Sequence, residues 1–324
     1  MHLLVIRFSA MGDVAMTVPV VYSLAVSHPE IQITMLTRKH LTPLFQWMPD
    51  NVKCLGVNLK DYDGISGLGR LYKELKAMDF DAVADIHDVL RTQYLRLRFR
   101  LSGKKVVVID KGRAEKKAIL GNGMTSPFLK PTIERYRDVF MRLGIDFPLV
   151  SSMPQFSNSP KDTKQIGIAP FAAHEGKIYP LDKMHQVADM LADRGYQVFL
   201  FGAGKEEQAT LESWERENIR SVAGRLGGLG HELELMGTLD LMISMDSSNM
   251  HMAAMMGTPT LSIWGATHPK AGFMAWGQKE DSTIQLPLDC RPCSIYGNKK
   301  CKYGDYRCMT GITPEQIVEK VVNG

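Results

Sequence analysis

Residues 241–260, LMISMDSSNMHMAAMMGTPT, carry the pattern that decides the fold. The uninterrupted apolar run 241–245 predicts a strand that is covered on both faces. A polar, Ser-rich loop follows, and then a helix in which the small residues Ala253 and Ala254 allow close packing on a sheet. A strand, a loop and a helix in this order form the repeating unit of parallel α/β proteins.

The same unit recurs on both sides of this stretch, which predicts doubly wound parallel sheets. Predicted strands cover residues 3–8, 31–36, 54–59, 82–86, 106–109, 166–170, 198–201, 241–245 and 260–264. Predicted helices cover residues 68–78, 183–194 and 206–215. A final helix starts after the N-cap Thr313, with Pro314 at its first position and Gln316 at the capping-box position.

A chain of 324 residues is long for one core and natural for two domains. The alternation of strands and helices breaks once, at a stretch rich in proline and serine. We therefore predict Rossmann-like domains at residues 1–150 and 165–324, joined by a linker at 151–164. Two such domains facing a cleft place ligands at the carboxyl ends of their strands.

The composition is that of an ordinary globular protein, with 44% hydrophobic and 23% charged residues. The first residues do not form a secretory signal, and no apolar stretch is long enough to span a bilayer. We therefore expect a cytoplasmic protein. A net charge of +4 suits anionic partners such as phosphates or a membrane surface, but is too small to indicate nucleic-acid binding.

The loop after the strand 241–245 is the strongest candidate for a phosphate site. Free N–H groups at the start of a helix bind anions, and Asp246, Ser247, Ser248 and His251 lie at this start. An ordinary strand-to-helix turn, capped by Asp246 or Ser247, would show the same pattern.

Three further loops follow predicted strands. Lys177 could neutralise a diphosphate, although a single loop lysine is more often solvated. Glu206 could accept hydrogen bonds from a ribose or simply stabilise the first turn of a helix. Gly12 and Asp13 precede a helix that we expect to begin at Val14, where Asp13 would face the cleft or serve only as an N-cap.

A basic run joins Arg91, Arg96, Arg98, Arg100, Lys104 and Lys105 with apolar residues between them. A helix there would be amphipathic and basic, which suits an anionic acceptor or a membrane surface, or a plain solvated face. Near the C-terminus stand four cysteines, at positions Cys290, Cys293, Cys301 and Cys308. The first pair has metal-ligand spacing, so a structural zinc site and free thiols are both possible.

Together these segments resemble the ADP-heptose:lipopolysaccharide heptosyltransferase family. The resemblance covers most of the chain and is most specific at 246–259 and at 263–269, IWGATHP. The opening RFSAMGDV at 7–14, the stretch from Asp85 to Arg91 and the cysteine-containing tail are also similar.

The resemblance implies a GT-B fold and an inverting, metal-independent transfer of heptose, or a similar sugar, from an ADP-sugar. The first domain would bind an anionic, lipid-linked oligosaccharide acceptor at the inner face of the membrane, and the second would bind the nucleotide sugar. Asp13 matches the proposed base, and Lys177, Glu206 and the turn at 246–251 match the donor site, with Gly12 beside them. His87, Arg91 and Arg135 are candidates for acceptor binding.

The sequence departs from the family's pattern at three places. Ser248 replaces a usual glycine, Ala172 and Ala173 replace hydroxyl-bearing donor contacts, and Thr132 replaces a histidine near Arg135. A sugar-nucleotide epimerase or hydrolase of the same fold, and a degenerate nucleotide-binding module, are the competing functions. Turnover of donor without acceptor would identify the former, and binding without turnover the latter.

Overall fold

A computed structural model describes residues 1–123, 125–150 and 164–323. The described chain forms two compact units. Unit 1 comprises residues 1–111 and 132–151, and unit 2 comprises residues 112–131 and 152–324. The predicted linker lies outside the described residues except for Lys164.

Unit 1 is built on a five-stranded parallel sheet with the order β3-β2-β1-β4-β5. Its strands are β1 (His2–Ile6), β2 (Gln32–Arg38), β3 (Val52–Val57), β4 (Ala82–Asp85) and β5 (Lys105–Val108). Its helices are α1 (Met11–Ala15), α2 (Val18–Ser27), α3 (Gly64–Lys76), α4 (Leu90–Leu101) and α6 (Thr132–Leu143). The strand order reverses between β1 and β4, and such a switch point is where ligands bind in doubly wound sheets.

Unit 2 contains a six-stranded parallel sheet with the order β11-β10-β9-β6-β7-β8. Its strands are β6 (Gln165–Ala169), β7 (Gln197–Leu200), β8 (Ile219–Ser221), β9 (Leu241–Met245), β10 (Thr260–Ile263) and β11 (Thr283–Ile284). Its helices are α5 (Arg113–Ala118), α7 (Leu181–Ala192), α8 (Lys205–Glu212), α9 (Leu229–Thr238), α10 (Ser248–Met255), α11 (Arg307–Thr310) and α12 (Pro314–Asn323). The switch point lies between β6 and β9.

The apolar runs form the cores as predicted. Leu4, Ile6 and Val83 are fully buried in unit 1, and Ile168 and Ile243 are fully buried in unit 2. All nine predicted strands are confirmed within two residues at either end, whereas β8 and β11 were not predicted. No helix among the described residues is long and apolar enough to cross a membrane.

One segment belongs to a different unit than its place in the sequence indicates. Residues 112–131 group with unit 2, although they lie within the predicted first domain. Gly121 and Gly123 donate backbone hydrogen bonds to the carbonyls of Pro292 and Arg291. The Lys116 ammonium lies 4.1 Å from the centre of the Phe273 ring. The chain therefore leaves unit 1 after β5 and returns to it at α6.

Candidate active site

The turn after β1 fixes Asp13 through a buried arginine. Arg7 follows the end of β1, and its Nη2 lies 2.7 Å from Asp13 Oδ2. Arg7 Nη1 donates to the carbonyl of Ile86, and its guanidinium lies over the Tyr136 ring. The Asp13 side chain remains 32% exposed. The Asp13 carboxylate is therefore held in place by Arg7 and remains partly accessible to solvent.

The predicted start of this helix at Val14 is wrong. α1 begins at Met11 with Ala10 as N-cap, so Asp13 is the third helical residue and its carboxylate accepts the Ala10 N–H at 3.3 Å. α1 is short because Pro19 lacks an N–H and cannot continue the hydrogen-bond ladder. α2 therefore begins separately at Val18, with this proline in its first turn.

His87 lies beside this turn, after β4. Its Nδ1 is 3.4 Å from the Phe8 backbone N, and its Nε2 is 3.4 Å from Ser9 Oγ. Burial, together with the positive charge of nearby Arg7, lowers the pKa of His87 to about 3. The imidazole is therefore neutral at physiological pH, accepts at Nδ1 and donates at Nε2. The turn that carries it is organised by buried Asp85, which accepts the His87 N–H.

The two arginines predicted to bind the acceptor differ in exposure. Arg135 is buried, whereas Arg91 is exposed and lies 3.5 Å from Asp63. Arg91 lines an open cavity of about 1170 Å³ at the carboxyl ends of β2 and β3. Other cations on its lining are Arg38, Lys39 and Lys60. Three carboxylates, those of Asp61, Asp63 and Glu74, line it as well. The cavity is large enough for an oligosaccharide, and its lining has four cations against three carboxylates.

In unit 2, Lys177 and Asp246 meet at the switch point. Lys177 ends a 3₁₀ turn after β6, and its Nζ lies 2.8 Å from Asp246 Oδ2. The same oxygen accepts a hydrogen bond from Thr267 Oγ1 at 2.8 Å. Gly297 lies so close that a Cβ there would be 2.6 Å from Lys177 Cγ, and its φ of +80° also favours glycine. The Asp246 carboxylate therefore holds the Lys177 ammonium, and the Gly297 backbone packs closely against the methylene groups of the same side chain.

The helix after β9 begins as predicted, within the Ser-rich loop. Ser247 is the N-cap of α10, but its side chain makes no capping hydrogen bond, and its hydroxyl lies 3.2 Å from that of Ser244. Ser248 is the first helical residue and does not have a positive φ. Replacing glycine there consequently brings no left-handed strain. His251 is buried in the first turn, and the helix start presents backbone N–H groups to an anion.

The structure brings most of the predicted donor residues to one edge of unit 2. Lys177 follows β6 and the 246–251 turn follows β9, and these strands are neighbours. Glu206 is exposed near the start of α8, after β7, which is the other neighbour of β6. Gly12, by contrast, lies in α1 of unit 1 beside Asp13.

The four C-terminal cysteines line one small cavity of about 20 Å³. Arg291, Lys302 and Arg307 line it too. Arg291 is buried and donates to the carbonyls of Gly265, Leu286 and Thr267. Within the described residues, no group of three or more His, Cys, Asp or Glu side chains is already arranged to hold a metal ion.

Sequence reasoning missed Arg7, Thr267 and Gly297. Arg7 gave one usable signal, because an arginine directly after an apolar strand is buried only with a partner. Thr267 and Gly297 gave none, since their contacts with Asp246 and Lys177 join distant parts of the chain.

Comparison with known proteins identifies the family of this chain. The family model for glycosyltransferase family 9 (heptosyltransferase) matches residues 68–304. The lipopolysaccharide heptosyltransferase 1 of Pseudomonas aeruginosa is 26% identical, with 94% of this chain and 88% of that protein covered.

Two solved structures share the fold. The glycosyl transferase family 9 protein of Veillonella parvula superposes with a TM-score of 0.74 at 20% identity, with 99% of this chain and 96% of that chain covered. The Escherichia coli heptosyltransferase WaaC with ADP-2-deoxy-2-fluoro heptose superposes with a TM-score of 0.69 at 18% identity, with 99% and 100% covered. The fold is therefore GT-B. The family model spans more than two thirds of the chain, and so this protein belongs to glycosyltransferase family 9, the heptosyltransferases.

Proposed function

We propose that this glycosyltransferase moves a heptose from ADP-heptose to a lipopolysaccharide core acceptor, with inversion at the anomeric carbon. The observation that carries the proposal is that a carboxylate lies at the switch point of unit 1 and an anion site lies at the switch point of unit 2. Asp13 provides a fixed, open carboxylate in unit 1. Lys177 and the start of α10 provide an anion site in unit 2.

The donor's diphosphate binds at Lys177. The ammonium, His251 and the first N–H groups of α10 all donate hydrogen bonds to phosphate oxygens. Asp246 does not contact the phosphates in this scheme, because two negative charges would repel. It orients the Lys177 ammonium instead, at 2.8 Å. Glu206 accepts hydrogen bonds from the ribose hydroxyls.

Transfer is a single in-line displacement. The acceptor hydroxyl oxygen forms a bond to the anomeric carbon while the bond from that carbon to the diphosphate oxygen breaks. The electron pair leaves with ADP, and the hydroxyl proton passes to the Asp13 carboxylate. Lys177 and the α10 N–H groups stabilise the charge that develops on the diphosphate. Because these donors are supplied by the protein, we propose that the reaction needs no metal ion or cofactor.

We propose that unit 1 binds the acceptor. The cavity of about 1170 Å³ offers Arg91, Arg38 and Lys60 to an anionic oligosaccharide. His87 is neutral and, through its contacts with Phe8 and Ser9, positions the turn before Asp13 beside the bound acceptor. An acceptor of this kind is anchored in lipid, which places the enzyme at the inner face of the membrane.

We also propose that the four C-terminal thiols hold a structural zinc ion. They line one cavity, and four thiolates make a closed site for zinc. Arg291, Lys302 and Arg307 would offset the negative charge of such a site. The sulfur atoms must move together to bind the ion, because they are not arranged for it here.

A donor and acceptor matrix tests the main proposal. ADP-heptose, UDP-glucose and GDP-mannose are each incubated with and without a lipopolysaccharide core acceptor, and released nucleotide and glycosylated product are both measured. We expect transfer only with ADP-heptose and acceptor together, with inversion seen by NMR and equal rates with and without added Mg²⁺. Nucleotide release without acceptor would instead support an epimerase or hydrolase, and binding without release would support a degenerate module.

A further inference from the structure

Helix α4 has two opposite apolar faces. Leu95 and Phe99 are buried, as expected for a helix packed on a sheet. Leu90, Leu97 and Leu101 are 84%, 55% and 77% exposed. At about 100° per residue, these three leucines fall within roughly 40° of one another and point away from Leu95 and Phe99. The second apolar face is therefore a stripe turned to solvent.

The exposure of this stripe is unusual for the molecule. Ile65, near the start of the adjacent helix α3, is 75% exposed. Together with Leu90, Leu97 and Leu101, it is one of the four most exposed large apolar side chains of the described chain. Single exposed leucines need no explanation, but a cluster of them marks a binding surface.

Arginines border the stripe on both sides. Arg91 and Arg98 lie on one flank and Arg100 lies on the other, by helical position. The Arg98 guanidinium is 4.6 Å from the centre of the Tyr72 ring and donates to Tyr94 Oη at 2.8 Å, so it is held at the surface. The sequence between Val89 and Ile109 contains no aspartate or glutamate. Exposed Asp63 pairs with Arg91, so Arg98 and Arg100 carry the positive charge that borders this apolar stripe.

We propose that Leu90, Leu97, Leu101 and Ile65 insert into the surface of an anionic lipid bilayer, with Arg98 and Arg100 on lipid phosphates. A helix lying in a membrane interface has this pattern, with aliphatic side chains between basic ones. A stable protein partner would need roughly 1,000 Å² or more of interface and aromatic anchors, which four aliphatic side chains do not provide. This inference rests on the proposed function, because a lipid-anchored acceptor gives the enzyme a reason to bind the bilayer.

The test compares vesicle binding of wild type with a double variant, Leu97→Gln and Leu101→Gln. Sedimentation uses phosphatidylcholine vesicles with and without one third phosphatidylglycerol. We expect wild type to bind the anionic vesicles, and the double variant to bind them at least tenfold more weakly, because the apolar contact is lost. Arg100→Gln should weaken binding about fivefold. The matched control carries Val26→Gln and Val322→Gln, which also remove exposed apolar side chains, and should bind as wild type.

Two activity assays separate this inference from the proposed function. With a water-soluble, deacylated acceptor, the double variant should transfer at the wild-type rate, whereas with acceptor embedded in vesicles its rate should fall at least tenfold. Equal vesicle binding by wild type and double variant would overturn the membrane surface. A lower molecular mass of the double variant than of wild type in light scattering would also overturn it, because the stripe would then be a contact between copies of the chain. Vesicle binding without transfer to any acceptor would refute the proposed function alone.

Discussion

Replacing Asp13 with asparagine tests the base directly, because the structure separates its chemical role from its structural ones. Asparagine keeps the shape of the side chain and can still accept the Ala10 N–H. It loses the negative charge that faces Arg7 and cannot take a proton. General-base assistance amounts to about 10²–10⁴-fold, or roughly 3–5 kcal/mol in activation free energy.

The stability effect follows from the same contacts. Arg7 is buried but keeps its hydrogen bond to Ile86 and its contact with Tyr136. Asp13 is partly exposed, so solvent already weakens the ion pair. We therefore expect Asp13→Asn to lower the free energy of unfolding by about 1–2 kcal/mol, a few degrees in Tm.

The assay measures transfer per folded molecule, with ADP affinity by calorimetry as the internal control. Affinity should be unchanged, because Lys177, Asp246 and His251 all lie in unit 2. Asp146→Asn, which removes the exposed partner of Arg137 instead, should transfer at the wild-type rate. If Asp13→Asn loses stability but transfers at the wild-type rate, Asp13 serves only to hold Arg7, and the catalytic role is refuted.

Three further outcomes are expected. Lys177→Ala and His251→Ala should each weaken ADP binding by roughly 1.5–3 kcal/mol in calorimetry, with Lys320→Ala as control; unchanged affinity in both variants would remove the phosphate site. The second outcome concerns His87, whose pKa is about 3 in the folded protein against the ordinary value of 6.5. Below pH 6.5 the unfolded chain therefore binds a proton at this histidine, whereas the folded protein does not. Its contribution to stability therefore falls by about 2 kcal/mol from pH 7 to pH 5. Denaturant unfolding should show a smaller loss in His87→Gln, and an equal loss in both proteins would contradict the burial. Protein purified under reducing conditions should contain about one zinc per chain, and its absence by elemental analysis would defeat the thiol site.

The strands and the helix start at α10 could be predicted because their signals are local. Continuous apolar runs mark strands that are buried on both faces. The N-cap of the last helix, α12, could also be predicted, since Thr313 and Gln316 exchange hydrogen bonds as a capping box in the structure. Asp246 and Ser247 were found for the same reason, because they directly follow β9. Lys177 lies eight residues after the end of β6, and only the resemblance to the family singled it out.

The features that the sequence did not predict are either very short or depend on contacts between distant residues. β8 and β11 have three and two residues, which is too few to show a periodicity. The start of α1 was misplaced because the cap is an extended alanine and not the aspartate, which turns back to Ala10 and to Arg7. The pairing of Lys177 with Asp246 joins positions that are far apart in the chain, and no local pattern reports it.

The segment 112–131 affects how the chain can be made and divided. It is synthesised before unit 2, yet its partners Phe273 and Arg291 lie far downstream. Translation of the residues between Gly123 and Phe273 takes roughly 10–30 s, during which Lys116 cannot reach Phe273.

The same topology means that the two halves are not interchangeable modules. A fragment ending at residue 150 would carry a segment that packs elsewhere, and a fragment starting at 165 would lack part of its own surface. A chimera with a related enzyme should therefore exchange residues 112–131 together with the C-terminal half. A chimera joined only at the proline- and serine-rich stretch would combine unit 2 of one enzyme with residues 112–131 of the other.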